Sequence, residues 1–276
     1  MISNITKRIL TAIVIAPIFV WSIFAIPKDY FSFFLLTFVV IGGWELSRLI
    51  KIENLLLRAL YVFFIVILAL YIKINWHVSW VFSLVICLST AWWLVNLYWI
   101  VSYPQKTKLW FGSASVRIVN GAMLLIPMWL SLSHIHIEYG PSLFLLLMLI
   151  VWAADSGAYF VGKATGKRKL SPLVSPNKTV EGFVGGIIFS LLTLISFMVL
   201  FNETHQSMHD NYLGYIALVV VIASVSVLGD LYESLFKRVS GIKDSGQILP
   251  GHGGILDRID SLTAAAPFFV LGLELL

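Results

Sequence analysis

The sequence predicts an all-α, polytopic integral membrane protein with about nine transmembrane helices, and three observations predict this fold class. The 276 residues are 59% hydrophobic and 12% charged, whereas roughly a quarter of the residues in a soluble domain are charged. The charges cluster between long uncharged runs. Those runs are continuously apolar, which favours helices over the alternating strands of a membrane barrel. A disordered chain is excluded, because it would combine low hydrophobicity with high charge.

A helix needs about 20 mainly apolar residues to cross a hydrocarbon core roughly 30 Å thick. Nine segments approach this length, and in chain order they are 9–26, 30–46, 55–72, 78–101, 118–132, 142–161, 183–201, 212–228 and 262–276. The first has a basic flank like a signal peptide, but Pro27-Lys28-Asp29 follows it instead of a small-residue cleavage site. We expect this segment to be retained as a membrane anchor.

The basic residues predict which loops face the cytoplasm, since positively charged loops stay on that side. If the nine segments span the membrane, one side carries 17 of the 19 basic residues, and only Lys28 and Lys73 lie on the other. This predicts a cytoplasmic N-terminus and a C-terminus outside. A short N-terminus without a transit peptide favours a bacterial inner (plasma) membrane. The same bias accounts for the net charge of +5, so we expect no nucleic-acid partner.

The chain divides into three predicted regions. Residues 1–75 and 76–140 hold the N-terminal and middle transmembrane helices, and 141–276 holds the remaining helices with two cytoplasmic loops at 162–182 and 229–261. These loops carry nine of the basic residues, more than simple linkers need. On the outer side, His134 and His136 are interpreted as part of a solvated loop rather than a metal site. The one cysteine, Cys87, cannot form an internal disulfide and is expected to pack.

The second loop begins where a helical span ends. On a continuing helix, Asp230, Ser234 and Lys237 are spaced i, i+4, i+7 and share one face. A carboxylate and a cation on one helix face at the membrane boundary could bind a metal ion and a phosphate group. The alternative interpretation is a helix end that carries charges for the interface.

A glycine-rich stretch, 250–254, precedes a second acidic pair. Glycine allows backbone conformations closed to other residues and a close approach of ligands. If a helix begins near Leu256, Asp257 and Asp260 lie on one face, and Arg258 points elsewhere. Two such carboxylates suit Mg²⁺, which prefers oxygen ligands, and charges this close to hydrocarbon indicate function. The alternative is acidic residues that complement the helix dipole.

The first loop follows Asp155, which interrupts an apolar span and therefore predicts a polar cavity or a cationic partner. Further on, Ser175 followed by Pro176 predicts a helix that starts at Ser175. Lys178 would then lie beside free backbone N–H groups and form an anion site. A plain helix start before the next span is the alternative.

These residues together resemble a known family. The second loop looks like the C-terminal signature of the phosphatidate cytidylyltransferases, or CDP-diacylglycerol synthases, through Ser234-x-x-Lys237-Arg238-x₄-Lys243-Asp244-x-Gly246-x-x-Leu249-Pro250-x-His252-Gly253-Gly254-x-x-Asp257-Arg258-x-Asp260. Other stretches similar to that family are Asp155-Ser156-Gly157-Ala158-Tyr159, Gly166-Lys167 and Ser175-Pro176-x-Lys178-Thr179-x-Glu181-Gly182. The resemblance covers roughly 150–262 and implies that 141–276 is the catalytic region.

The resemblance implies an enzyme that joins CTP and phosphatidate to give CDP-diacylglycerol and pyrophosphate, for phospholipid biosynthesis in a lipid bilayer. It implies Mg²⁺, with room for a second cation, held first by Asp230 and Asp257 and next by Asp260 and Asp244. Residues implied to hold phosphates are Lys237, Arg238, Lys243, Arg258 and Lys178. His252 is implied to hydrogen-bond a phosphate rather than act as a base. The remaining implied substrate-binding residues are Ser175, Thr179, Lys167 and Asp155.

We assign the 175–182 segment mainly to CTP and the 237–238 pair mainly to phosphatidate, as hypotheses. Two other functions stay open. A membrane transporter would also carry intramembrane charges, and a CTP-dependent polyprenol or lipid kinase would use the same nucleotide. A homodimer is compatible with the sequence.

Overall fold

The computed structural model describes residues 4–76, 79–201, 208, 210–246, 248 and 253–276. The first helices are α1 (Asn4–Ala25), α2 (Lys28–Leu49), α3 (Leu55–Asn75), α4 (Ser79–Val101), the short α5 (Thr107–Phe111) and α6 (Ala114–His134). A π-helical turn (Ile135–Tyr139) leads into α7 (Gly140–Thr165). Strands β1 (Lys169–Ser171) and β2 (Ser175–Thr179) follow, then α8 (Val180–Leu200), α9 (Tyr212–Ser240) and α10 (Leu256–Leu275).

The predicted all-α membrane architecture is confirmed. Each of the nine predicted apolar segments overlaps a different helix, namely α1 to α4 and α6 to α10. Within the described ranges, six helical stretches are long and apolar enough to cross a membrane. One of these is the continuous run Ala114–Thr165 of 52 residues.

That long run is two helices rather than one. A straight α-helix of this length would extend for about 78 Å, more than twice the thickness of the hydrocarbon core. The π-helical turn and Gly140 interrupt it, and Gly140 has a φ of +87°, which glycine adopts without steric cost. The break separates α6 from α7 where the sequence predicts the boundary between segments 118–132 and 142–161.

The prediction of a helix start at Ser175 is wrong. Strand β2 pairs antiparallel with β1, and Ser171 lies opposite Ser175. The residue before a proline is driven towards extended backbone, so Ser175 suits a strand. Helix α8 begins at Val180 instead, and the Thr179 hydroxyl caps it by accepting the N–H of Gly182 at 3.1 Å. Lys178 therefore lies on the strand, ahead of the helix.

The interpretation of the two outer histidines as a solvated loop is also wrong. His134 ends α6, and His136 lies in the π-helical turn, where it is buried. The His136 ring stacks on Phe31 with a centroid separation of 3.8 Å and donates from Nε2 to the carbonyl of Ile23 at 2.8 Å. Cys87, expected to pack, is exposed on α4.

Two close helix contacts bring the C-terminal helices together. At the first, a Cβ on Gly186 of α8 would lie 2.7 Å from the carbonyl oxygen of Ala154 on α7. At the second, a Cβ on Gly229 of α9 would overlap the carbonyl of Asp260 on α10. Helix α10 also packs against α2, α4 and α6. Asp155, Asp230 and Asp260 are consequently gathered at one end of the bundle.

Candidate active site

The segments predicted as two loops, 162–182 and 229–261, meet at an ion pair between Lys178 of β2 and Asp230 of α9. Lys178 Nζ lies 2.7 Å from Asp230 Oδ2, and both side chains are largely shielded from solvent. Burial opposes the charge on Lys178, but Asp230, Asp155 and Asp260 raise the pKa of the ammonium above its ordinary value. The hairpin therefore places a lysine among the aspartates of α7, α9 and α10, and these aspartates favour its charged form.

A second ammonium lies between two carboxylates. Lys237 Nζ lies 2.6 Å from Asp257 Oδ1 and also pairs with Glu233, one turn earlier on α9. Glu233 and Asp257 are nearly inaccessible to solvent. Removing either lysine would leave buried carboxylates uncompensated, which is costly in a low-dielectric interior.

The glycine-rich turn holds Asp257 from the other side. Gly254 donates its N–H to Asp257 Oδ2 at 2.7 Å. Gly253 has a φ of +79°, and a Cβ there would lie 2.6 Å from the same carboxylate oxygen. The expected need for glycine is confirmed at this residue, because both its backbone conformation and the nearby carboxylate exclude a side chain.

The remaining sequence-nominated residues have varied surroundings. Ser234 donates to Asp230 Oδ1 at 3.3 Å, as the predicted shared face requires. Arg238 Nε donates to the carbonyl of Val174 at 3.0 Å and so ties α9 to the hairpin. The backbone N–H of Lys167 donates to Glu181 at 3.0 Å. Lys243, Asp244 and Arg258 are exposed, and His252 lies outside the described residues.

Two buried glutamates belong to the site although sequence reasoning did not nominate them. Glu233 lies within the segment that supplied Asp230 and Lys237, and its spacing to Lys237 matches a helical ion pair. Glu45 lies in the apolar segment 30–46, where a lone carboxylate is the same signal that singled out Asp155. Its carboxylate accepts the N–H of Leu256 at 2.8 Å and that of Ile255 at 3.2 Å.

A cavity of about 540 Å³ opens beside these charges. Its polar end is lined by Asp155, Ser156, Asp257, Arg258 and Asp260. Apolar side chains of α1, α2, α6, α7 and α10 line the rest, among them Phe19, Phe38, Trp129, Phe144, Met148 and Trp152. Asp155 therefore lines a cavity, as expected, but most of the lining is apolar rather than polar, and this combination suits a molecule with a charged head and a hydrocarbon tail.

The donor chemistry of the site suits a hard divalent cation. Its carboxylate oxygens are ligands that Mg²⁺ prefers, and Mg²⁺ usually takes one or two of them and completes its shell with water and substrate phosphate. Among the described residues, no three Asp, Glu, His or Cys side chains form a ready metal cage.

Comparisons with known proteins agree with this chemistry. The model of the cytidylyltransferase family matches residues 6–276. A phosphatidate cytidylyltransferase of Haemophilus influenzae is 39% identical over 95% of this chain and 96% of its own length. Another from Pseudomonas aeruginosa is 40% identical over 95% of this chain and 94% of its own. The chain belongs to the cytidylyltransferase family.

Proposed function

We propose that the protein transfers the cytidylyl group of CTP to phosphatidate, giving CDP-diacylglycerol and pyrophosphate for phospholipid synthesis. The observation that carries the proposal is the mainly apolar cavity whose lining includes Asp155, Asp257, Arg258 and Asp260, of which Asp257 pairs with Lys237. A charged lipid and a nucleotide triphosphate can meet only where hydrocarbon and cationic groups adjoin. The relatives named above support the same reaction, since they are similar to this chain over almost its whole length.

The reaction depends on electrostatic stabilisation more than on proton transfer. A phosphate oxygen of phosphatidate forms a bond to the α-phosphorus of CTP, the bond from that phosphorus to the β-phosphate oxygen breaks, and pyrophosphate leaves with the electron pair. A phosphate monoester is already ionised near neutral pH, so no general base is required. Lys178, Lys237 and Arg258 would offset the repulsion between the two polyanions and the charge that develops on the leaving group.

Mg²⁺ held by Asp230 and Asp257, with Asp260 and Asp244 as further candidate ligands, would supply Lewis-acid neutralisation of phosphate charge. Lys178 and Lys237 now pair with these two aspartates. Both ammoniums would then be available to bind phosphate oxygens when the aspartates bind the cation. A second cation is a further prediction for this acidic cluster.

The two substrates would approach the aspartates from different sides. We assign CTP to the hairpin and Lys178, as in the sequence-based hypothesis. For phosphatidate, the cavity favours Arg258, which lines its polar end, over the 237–238 pair. Neither Lys237 nor Arg238 is among the residues that line this cavity.

The proposed topology has nine spans, a cytoplasmic N-terminus and an active site that faces the cytoplasm of a bacterial inner membrane. Its support is the charge bias of the loops and the overlap of every predicted segment with a helix. CTP would then enter from the cytoplasm, where nucleotides are made.

Labelled CTP tests the proposed reaction. Purified protein in mixed micelles with phosphatidate and Mg²⁺ should move label from the α-phosphate of CTP into the lipid phase and release unlabelled pyrophosphate. A lipid kinase would instead move label from the γ-phosphate, and a transporter would leave CTP intact. Either of those results would reject the proposal, and the Asp257→Asn variant serves as the inactive control.

A further inference from the structure

Glu45 is a buried carboxylate near the C-terminal end of the apolar helix α2, and only 2% of its surface is exposed. Such a group is costly unless hydrogen bonds compensate it. Glu45 accepts the N–H of Leu256 at 2.8 Å, the N–H of Ile255 at 3.2 Å and the Ser245 hydroxyl at 3.2 Å. Ser245 and Ile255 precede α10 and Leu256 is its first residue, so these hydrogen bonds connect α2 to the segment at the start of α10.

Glu45 and Asp257 both accept hydrogen bonds from that segment. Of three consecutive backbone N–H groups, that of Gly254 donates to Asp257, and those of Ile255 and Leu256 donate to Glu45. Ser245 also contacts both carboxylates. Its hydroxyl donates to Glu45, and its backbone nitrogen lies 3.4 Å from both oxygens of Asp257. A displacement of the segment from Glu45 would therefore also displace Asp257.

The shape of the segment matches the glutamate closely. A Cβ on either Gly246 or Gly254 would overlap the Glu45 carboxylate. Both glycines belong to the family-like signature, and a side chain at either would displace the Glu45 carboxylate from its hydrogen-bond donors. Glu45 is in contact with this segment but is not among the residues that line the cavity.

We infer that Glu45 is a positioning residue for the cytidylyltransfer reaction: it anchors the segment before α10 and thereby sets the position of Asp257 at the polar end of the cavity. The inference rests on the proposed function insofar as it treats Asp257 as a residue of the active site. Glu45 acts through hydrogen bonds to backbone and to Ser245, without touching substrate.

The test compares Glu45→Gln with Ser47→Ala, a matched control that alters another buried polar residue of α2. Ser47 accepts from Arg58 Nε at 2.8 Å, away from the signature loop. Gln keeps the size of the side chain, but its amide lacks one of the two acceptor oxygens. We expect Glu45→Gln to lower kcat about tenfold or more and to raise the Mg²⁺ concentration needed for half-maximal activity, as loss of outer-shell support does at metal sites. Ser47→Ala should leave both unchanged.

Two further measurements separate positioning from folding and from the reaction itself. Amide hydrogen exchange at Ile255 and Leu256 should be faster in Glu45→Gln and normal in Ser47→Ala, whatever the activity. Ser245→Ala should reproduce part of the loss, and the double variant should lose less than the two single effects combined, because both act through the same segment.

Unchanged kcat and Mg²⁺ dependence in a folded Glu45→Gln protein would overturn the inference, and so would unchanged exchange at 255 and 256. If Glu45→Gln does not fold, the same measurements of kcat, Mg²⁺ dependence and amide exchange on Ser245→Ala test the inference. A wild-type protein that transfers no label would reject the proposed function, while the exchange data would still decide whether Glu45 anchors the segment.

Discussion

Lys178 of the hairpin and Asp230 of α9 form an ion pair with Nζ 2.7 Å from Oδ2. This contact joins the hairpin, which we assign to CTP, to α9, which carries one of the proposed metal ligands. Because the pair is largely shielded from solvent, removing Lys178 would leave Asp230 without its cation beside Asp155 and Asp260. The hairpin therefore supplies a cation to this acidic cluster, and we propose that this cation binds CTP.

Lys178→Ala should lower kcat/KM for CTP by about tenfold or more, as expected for loss of a charged hydrogen bond, with a smaller change in KM for phosphatidate. Steady-state kinetics that vary each substrate in mixed micelles would measure this. Lys169→Ala, at the exposed start of β1, is the control and should behave like wild type. A variant with weakened dependence on phosphatidate and normal dependence on CTP would reverse the assignment.

Asp257→Asn should reduce activity on the order of 100-fold or more at saturating Mg²⁺, because the neutral amide removes one charge from the proposed cation site. The shape is conserved, so folding should survive, which a melting curve in detergent would check. Glu53→Gln, on the exposed connection between α2 and α3, is the control and should retain activity. Near-normal turnover of the folded variant would exclude Asp257 from the site.

Ala16→Trp should act on the lipid substrate alone, because Ala16 of α1 lines the apolar part of the cavity and an indole would fill part of it. KM for long-chain phosphatidate should rise, that for a short-chain analogue should change less, and that for CTP should stay constant. Ile18→Trp, on the exposed face of α1, introduces the same group outside the cavity. Equal effects of both variants on both lipids would argue against acyl chains in this cavity.

Single cysteines would test the proposed topology in a Cys87→Ala background. A cysteine at Ser171 in the hairpin should react with membrane-impermeant thiol reagents only from the cytoplasmic side. One at Lys28, the first residue of α2, should react only from outside. Labelling of both from the same side would be incompatible with the nine-span arrangement.

Much of the architecture could be predicted from local sequence. Apolar length predicted where each helix lies, because a span must satisfy its own backbone hydrogen bonds. The position of their charges inside or beside apolar runs identified Asp155, Asp230, Asp257 and Asp260 as candidates. A charge near hydrocarbon is costly and therefore usually marks a functional site. In the structure Asp155, Asp257 and Asp260 line the same cavity, and Asp230 pairs with Lys178.

Only the tertiary structure decided which groups are partners. Helix α8 begins at Val180 rather than at the predicted Ser175, because β2 pairs with β1. Strand pairing depends on a second segment of the chain and not on local capping signals. Lys178 pairs with Asp230, Lys237 with Asp257, and Glu45 with the segment before α10, although each pair is distant in sequence. Sequence spacing reports neighbours along one helix, whereas these contacts arise from how closely different helices pack.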